Sequence, residues 1–436
     1  MSDWRQIYKE KLMTPEQAAA RIHSGDRIYF AVVDSVADVL TNALWERRHE
    51  LEDITLISSF AIRPVNPYTH WEACGFRLCT PFQGPWERMA RDKGMHVDFT
   101  TFHLSQFGLF FTQTGRPNVA FLEVSEPDEN GNVSLSAGVG VHPHALESAD
   151  RVFLQVNKQA PYITGADTCL FPISQAEAII EVDNPLADLP EAPLSGATQT
   201  IADSIVELIP DGATIQLGLG SLSSAIGYGL KNRNDLGIHT EQFCPAMVEL
   251  IKNGNVTNKH KGFMDGYSVF DCAVGTREMQ RFMDHNPTLY GATFGFVNNP
   301  FHIAQNNRMM SINAAMAVDV YGQVAADAMG YEQYSACGGQ VDFVRGAQMA
   351  HEGKSFIALE SSFVKNGKRH SKIQLHLPEG TGVTTSRADV NYVVTEYGCV
   401  NLKALTMADR VRAMISLAHP DFRDELTEQA RFHHLI

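Results

Sequence analysis

One run of elements occurs twice in this chain. Residues 22–40, IHSGDRIYFAVVDSVADVL, superimpose without a gap on residues 208–226, LIPDGATIQLGLGSLSSAI, at an offset of 186 residues. Identity between the copies is slight, so the shared order of elements carries the inference. In the first copy residues 14–23, TPEQAAARIH, read as a helix with Thr14 as N-cap, Pro15 at the first helical position and Gln17 three residues after the cap. Ser24, Gly25 and Asp26 break it; residues 27–33 form an apolar strand and residues 36–48 a second helix. In the second copy residues 200–208 are helical, Pro210, Asp211 and Gly212 turn, residues 214–219 form a strand and residues 223–231 a helix. Such a repeat predicts two tandem, open α/β domains of similar build. A chain of 436 residues also exceeds one typical core. Residues 183–195, DNPLADLPEAPLS, are rich in Pro and Asp and lack periodicity, which places the linker there and the domains at 1–190 and 191–436.

Charge and composition narrow the partners. The chain carries 35 basic and 50 acidic residues, a net charge of −15, and no block of five Lys or Arg, so nucleic acid is not an expected partner. Its first residues, MSDWRQIYKEKLM, lack the apolar centre of a signal peptide, and no apolar run approaches the roughly 18 residues of a membrane span. No membrane partner is expected. The seven cysteines are scattered, with no C-x-x-C, which fits reduced thiols and a cytoplasmic location. His142 and His144 form an H-x-H pair without an H-E-x-x-H partner; a structural role is expected for them, and no metal site.

The second half is dense in motifs. In residues 235–249, DLGIHTEQFCPAMVE, Ile238 to Thr240 end a short strand and Pro245 opens a helix running to about Asn253, with Gly254 beyond it. Glu241 then lies in a strand-to-helix loop, at the sheet edge where open α/β folds bind ligands. A single loop glutamate is ordinarily just solvated, so the case rests on its neighbours. Residues 216–220, QLGLG, join strand to helix but lack the third glycine and the acidic partner of a dinucleotide fingerprint, leaving a loop suited to an anionic ligand. Asn298, Asn299 and Pro300 make a turn, and residues 311–319, SINAAMAVD, read as a strand. In residues 338–345, GGQVDFVR, the paired glycines can direct consecutive N–H groups at one oxygen or make a plain turn. Gln340, Arg387 and Glu396 are assigned structural hydrogen bonding.

Taken in order, QLGLG, GIHTEQF, YGATFGFVNNP, SINAAMAVDVYGQVAADA, GGQVDFVRGA, GVTTSRADV, YVVTEYG and LAHPDFRDEL resemble the acetyl-CoA hydrolase/transferase family, in its 4-hydroxybutyrate and butyryl-CoA:acetate CoA-transferase branch. The match is dense from residue 214 to 426 and thinner earlier, where PDENGNVSLSAGV and IIEVDNPL fit. The resemblance implies the class I CoA-transferase fold, two α/β domains with the active site between them, and transfer of CoA between a short-chain acyl-CoA and a carboxylic acid such as acetate. It implies Glu241 as the nucleophile, Asn298 and the Gly339 N–H as oxyanion donors, and a CoA-binding set of Gln216, Leu217, Gly218, Leu219, Gly220, Met316, Gly339 and Lys365. Coenzyme A is then a substrate, held covalently as a glutamyl-CoA thioester, with no permanently bound cofactor, and a homo-oligomer is expected. One departure stands in the first half: relatives carry a glycine in the loop after the first strand, where this chain reads AVVDSV at residues 31–36. An unperturbed glutamate titrates near about 4.3, so an ionised nucleophile is expected at neutral pH. The alternatives left open are an acyl-CoA hydrolase on the same scaffold and, on fold alone, a sugar-phosphate isomerase-like protein.

Overall fold

The main sheet of the first half grows from the strand in the first copy of the repeat. A computed structural model describes residues 3–189, 193–218 and 220–436. Strand β1 (Arg27–Val33) is buried along all but its first residue, as the run RIYFAVV requires of a parallel strand covered on both faces. The chain adds β2 (Ile54–Ala61), β3 (Phe76–Thr80) and β4 (Val97–Phe99) to one side of it, then β5 (Val119–Val124), β6 (Arg151–Asn157) and β7 (Ala178–Val182) to the other. The order is β7-β6-β5-β1-β2-β3-β4, with these pairs parallel, so the winding direction reverses at β1. In the second half β8 (Thr214–Leu217) takes the same place. β9 (Gly237–Phe243) lies on one side of it and β10 (Met309–Ala314), β11 (Lys354–Ala358), β12 (Tyr392–Thr395) and β13 (Gly398–Asn401) on the other. β8 to β12 pair parallel and β13 closes the edge antiparallel.

The chain divides into two compact units, Met1–Pro190 with Val269–Val297, and Glu191–Ser268 with Asn298–Ile436. A linear division at 190/191 does not anticipate the segment Val269–Val297. Backbone bonds tie that segment to the first unit: the Gly291 N–H donates to Thr164 at 2.9 Å, the Ala166 N–H to Gly291 at 3.0 Å and the His285 N–H to Tyr162 at 2.9 Å. Part of the expected linker, residues 190–192, lies outside the described residues.

Several local expectations change in length. The Thr14–Gln17 capping box is present, but its helix runs only over Pro15–Ala19. The helix expected from residue 36 starts at Asp38, because Ser35 and Val36 first pair antiparallel with Val32 and Ala31. That reversal holds Val33 at φ 50°, an uncommon backbone for a β-branched residue. The strand expected over 311–319 is two strands: Met309–Ala314 stays in the main sheet, whereas Ala317–Asp319 pairs with Val324–Ala325 and Ile373–Gln374. Among the described residues no helix is long and apolar enough to cross a membrane.

Candidate active site

Glu241 stands in a strand, not in the loop expected of it. β9 runs through to Phe243, and Pro245 opens the helix Pro245–Lys252 directly after Cys244. The expectation of a loop failed because local sequence gives no measure of how far parallel pairing carries a strand. The functional consequence is rigidity: Glu241 projects from the carboxyl end of a parallel strand beside β8, at the edge where such sheets bind ligands.

Two other segments of the same unit converge on its carboxylate. Gly339 is the N-cap of the helix Gln340–Met349, and its N–H donates to Glu241. A Cβ at position 339 would overlap the Glu241 Oε2 and the Asn298 Oδ1, so all three residues meet within a space that only glycine leaves free. Asn298 is fully buried. Its neighbour Asn299 caps the helix Pro300–Ala304, accepting the Phe301 N–H at 2.9 Å. The turn role that the N-N-P sequence offers is therefore taken by Asn299, and Asn298 faces Gly339. The helix Pro300–Ala304 packs on Gln340–Met349, which fixes the two approaches relative to each other.

Electrostatically the carboxylate is not the ordinary one expected from sequence. Desolvation pushes the Glu241 carboxyl up to about 7; the nearby Asp342 charge adds to the rise, and the Gly339 N–H opposes it. Asp342 is 3% exposed and occupies the first turn of the helix that Gly339 caps. The same carboxylates act on Cys337, whose thiol is pushed up to about 12, first by burial and then by Asp327, Asp342 and Glu241.

Glu241, Cys337 and Gly339 border a cavity of about 180 Å³, lined also by Gln216 to Gly218, Asn313 and the rest of the stretch from Ala336 to Gln340, among others. Of the residues assigned to CoA, Leu217 and Gly218 line it through the end of β8. Gln216 also lines it, but its side chain bridges strands instead, its Oε1 accepting the Ile312 N–H at 3.1 Å. Gly220 has φ 105°, a backbone open to glycine, and caps the helix Ser221–Gly229. Leu219 lies outside the described residues. Met316 falls in the bend between the two strands of 309–319, where its N–H donates to Ala325 at 2.8 Å, and it is not among the residues lining this cavity. Lys365 sits on an exposed hairpin, opposite Lys368. The structure thus joins Glu241, Asn298, Gly339 and the end of β8, and does not join Met316 or Lys365 to them.

The remaining polar residues of the motifs are anchored internally. Gln340 donates to Ala314 at 2.9 Å and accepts from Thr385 at 2.8 Å. Glu396 accepts the Ser361 N–H at 2.9 Å, and Arg387 lies 5.6 Å over the Tyr321 ring. His142 is buried between the Tyr29 hydroxyl at 2.9 Å and Ser35 Oγ at 2.7 Å, and desolvation lowers it to about 3, so it stays neutral.

Comparison with known proteins agrees along the whole chain. The acetyl-CoA hydrolase/transferase N-terminal domain matches residues 1–190 and the C-terminal domain of the same family residues 275–430. The chain is 36% identical to a 4-hydroxybutyrate coenzyme A transferase of Clostridium kluyveri, over 98% of its own length and 99% of the relative's. It is 37% identical to a succinyl-CoA:cyclohexane-1-carboxylate CoA transferase of Geobacter metallireducens, over 97% and 96% of the two chains. The crystal structure of RipA from Yersinia pestis superimposes with a TM-score of 0.93 at 34% identity, covering 100% of both chains. With both domains matched in order and relatives of this identity spanning nearly every residue, the chain is an enzyme and belongs to the acetyl-CoA hydrolase/transferase family.

Proposed function

We propose that the chain is a CoA-transferase that moves CoA between a short-chain acyl-CoA, such as 4-hydroxybutyryl-, butyryl- or acetyl-CoA, and a carboxylic acid such as acetate, through a thioester on Glu241. The observation that carries this reading is the convergence of Glu241, Asn298 and the Gly339 N–H at the end of β9. A Glu241 oxygen attacks the thioester carbonyl, the C–S bond breaks, and CoA leaves as a thiolate, giving a mixed anhydride. The thiolate then attacks the glutamyl carbonyl of that anhydride and expels the acyl group as its carboxylate. CoA is now held as a glutamyl thioester, and its energy is kept for the second acid, which runs the two steps in reverse.

Each addition moves negative charge onto a carbonyl oxygen. The Gly339 N–H and the Asn298 side chain are the preorganised donors for it, in a setting where burial makes each donor count for more than in water. The desolvation that raises the Glu241 carboxyl also makes its ionised form a stronger nucleophile, since burial removes water that would otherwise stabilise the charge. Every bond made or broken here lies between Glu241, the acyl group and CoA.

Intact-protein mass spectrometry tests the reading. Acyl-CoA without an acceptor acid should add one CoA to the chain, map to Glu241, and leave on addition of acetate. The Glu241→Ala variant should give no adduct and no exchange while still binding CoA. Continuous release of free CoA with little adduct would instead assign a hydrolase, and an adduct that persists in Glu241→Ala would remove Glu241 from the chemistry.

A further inference from the structure

The first unit holds a cavity of about 560 Å³, a volume typical of small-molecule sites, that the reaction above does not use. It opens at the carboxyl ends of β5 and β6, where Ser125 and Glu126 follow one strand and Lys158 to Tyr162 follow the other. That is the edge where open, doubly wound sheets bind ligands. One wall is the helix Arg277–Met283, which lines the cavity with Arg277 and Arg281, one helical turn apart on the same face.

The charges around it are set against the character of the chain, whose net charge is −15. Three cations, Lys158, Arg277 and Arg281, surround one opening. Arg277 has a distant, exposed partner in Asp188, 3.8 Å away. Lys158 and Arg281 are exposed, and among the described residues their side chains make no ion pair or hydrogen bond. Of the two acidic residues lining the cavity, Asp284 is engaged: its Oδ1 accepts the Tyr162 N–H at 2.8 Å and lies 2.9 Å from His285 Nδ1. Glu126 is the other. Tyr162 and His285 stack with ring centroids 4.7 Å apart and an interplanar angle of 17°, and the Tyr162 hydroxyl donates to Asp128 at 3.1 Å, which fixes that ring. Like charges one turn apart on a helix repel, and an anion between them removes the repulsion.

We propose that this cavity is a second ligand site and that its ligand is a nucleoside phosphate, with phosphate oxygens on Lys158, Arg277 and Arg281, a planar base against the Tyr162–His285 rings, and Glu126 accepting an amino group of the base. Arginine and lysine grouped in this way suit phosphate oxygens, and a fixed aromatic pair suits a base. The same chemistry has two sources, a free nucleotide or the nucleotide end of CoA.

Calorimetric titration of the full chain with ADP, and separately with CoA, tests the proposal in the wild type and in a Lys158→Gln/Arg281→Gln double variant. Both positions are exposed, so the variant should keep the wild-type thermal midpoint, and where the ligand is a free nucleotide it should also keep its CoA-transfer rate in the absence of ADP. ADP binding, or one equivalent of CoA, should weaken by about tenfold or more in the variant. ADP that stays bound under saturating CoA assigns a free nucleotide; ADP displaced by CoA, or a lost second equivalent of CoA, assigns the nucleotide end of CoA. If neither ligand shows binding that the double substitution weakens, the proposal is overturned. Binding of ADP that competes with acyl-CoA and is unchanged in the variant belongs to the catalytic unit and also overturns it.

Discussion

The carboxyl edges of the two main sheets follow one plan of winding and end in opposite states. In the second unit the edge holds a carboxylate, Glu241, with a backbone N–H, an amide side chain and a cavity in front of it. In the first unit the part of the edge next to the end of β1 is filled. Arg63, which follows β2, reaches Asp34 at 3.3 Å, Asp38 at 3.5 Å and Glu123. It also donates to the Asp34 and Val36 carbonyls, at 3.1 and 2.9 Å. Asn157 and Gln155 donate to Glu123 as well. Here carboxylates hold the divergent 31–36 loop; in the other unit one borders a cavity, where we propose that it reacts. Position at the carboxyl edge therefore does not by itself set the role of a carboxylate: around β1 a buried cation, Arg63, engages three of them. Burial raises Asp34 to about 7 and Glu123 to about 8 even with Arg63 beside them, much as it raises Glu241 to about 7.

Breaking each edge should give a different kind of failure. Arg63→Met removes the cation that meets three acids, and stability should fall by about 3–5 kcal/mol, the cost of an uncompensated buried charge. The sign with pH follows from carboxyl values raised in the folded state. Between the unfolded value, about 4, and the folded values the native chain binds more protons, so the contribution of Asp34 and Glu123 is fully present at low pH and is lost as pH rises towards 8. Denaturant unfolding of the variant at pH 6 and pH 9 checks this; a loss no greater at pH 9 would contradict the ionic account.

On the catalytic edge, Asn298→Ala should lower kcat by roughly 100- to 1,000-fold with little change in KM, as removal of one oxyanion donor does elsewhere. Steady-state kinetics decides it, since a rise in KM with kcat intact would make Asn298 a binding residue. The CoA loop should give a milder effect. Gly218→Val adds a side chain where a Cβ has only contacts at 3.8 Å and the backbone is not left-handed, so the fold should survive. The apparent KM for acyl-CoA should rise by about tenfold, equivalent to about 1.4 kcal/mol. Gly220 is the poorer probe, because φ 105° there would strain any side chain.

The smallest change is expected from Asp342→Asn. With wild-type enzyme kcat/KM should rise with pH through about 7 as Glu241 ionises, because only the carboxylate attacks. Removing the Asp342 charge removes the second cause of that rise and leaves desolvation, the first. The ascending limb should therefore move to lower pH without reaching the range of an exposed glutamate. A pH profile with an unmoved limb would leave Asp342 a purely structural residue.

What could be read from the sequence follows the range of the forces involved. The duplicated turn, strand and helix at 22–40 and 208–226 were legible because caps, turns and apolar runs act within a few residues. The extent of β9 past Glu241 was not, since it depends on parallel pairing with a strand from another part of the chain. Glu241, Asn298 and Gly339 came from the resemblance, and their meeting point is visible only once three segments are folded together. The Arg63 cluster joins positions 34, 38, 63 and 123 with no local pattern among them, and Val269–Val297 joins the first unit by backbone bonds that carry no sequence signature. The elevated carboxyl of Glu241 is likewise a property of burial, which no list of neighbours along the chain expresses.

The absence of space at position 339 has a genetic consequence. Every single-base missense change in a glycine codon introduces a side chain, and any side chain there begins with the Cβ that overlaps Glu241 and Asn298. Codon 339 therefore has no neutral missense neighbour one mutation away. A population carrying this gene under selection for activity should retain only synonymous variation at that codon, and a library under the same selection should recover glycine there alone.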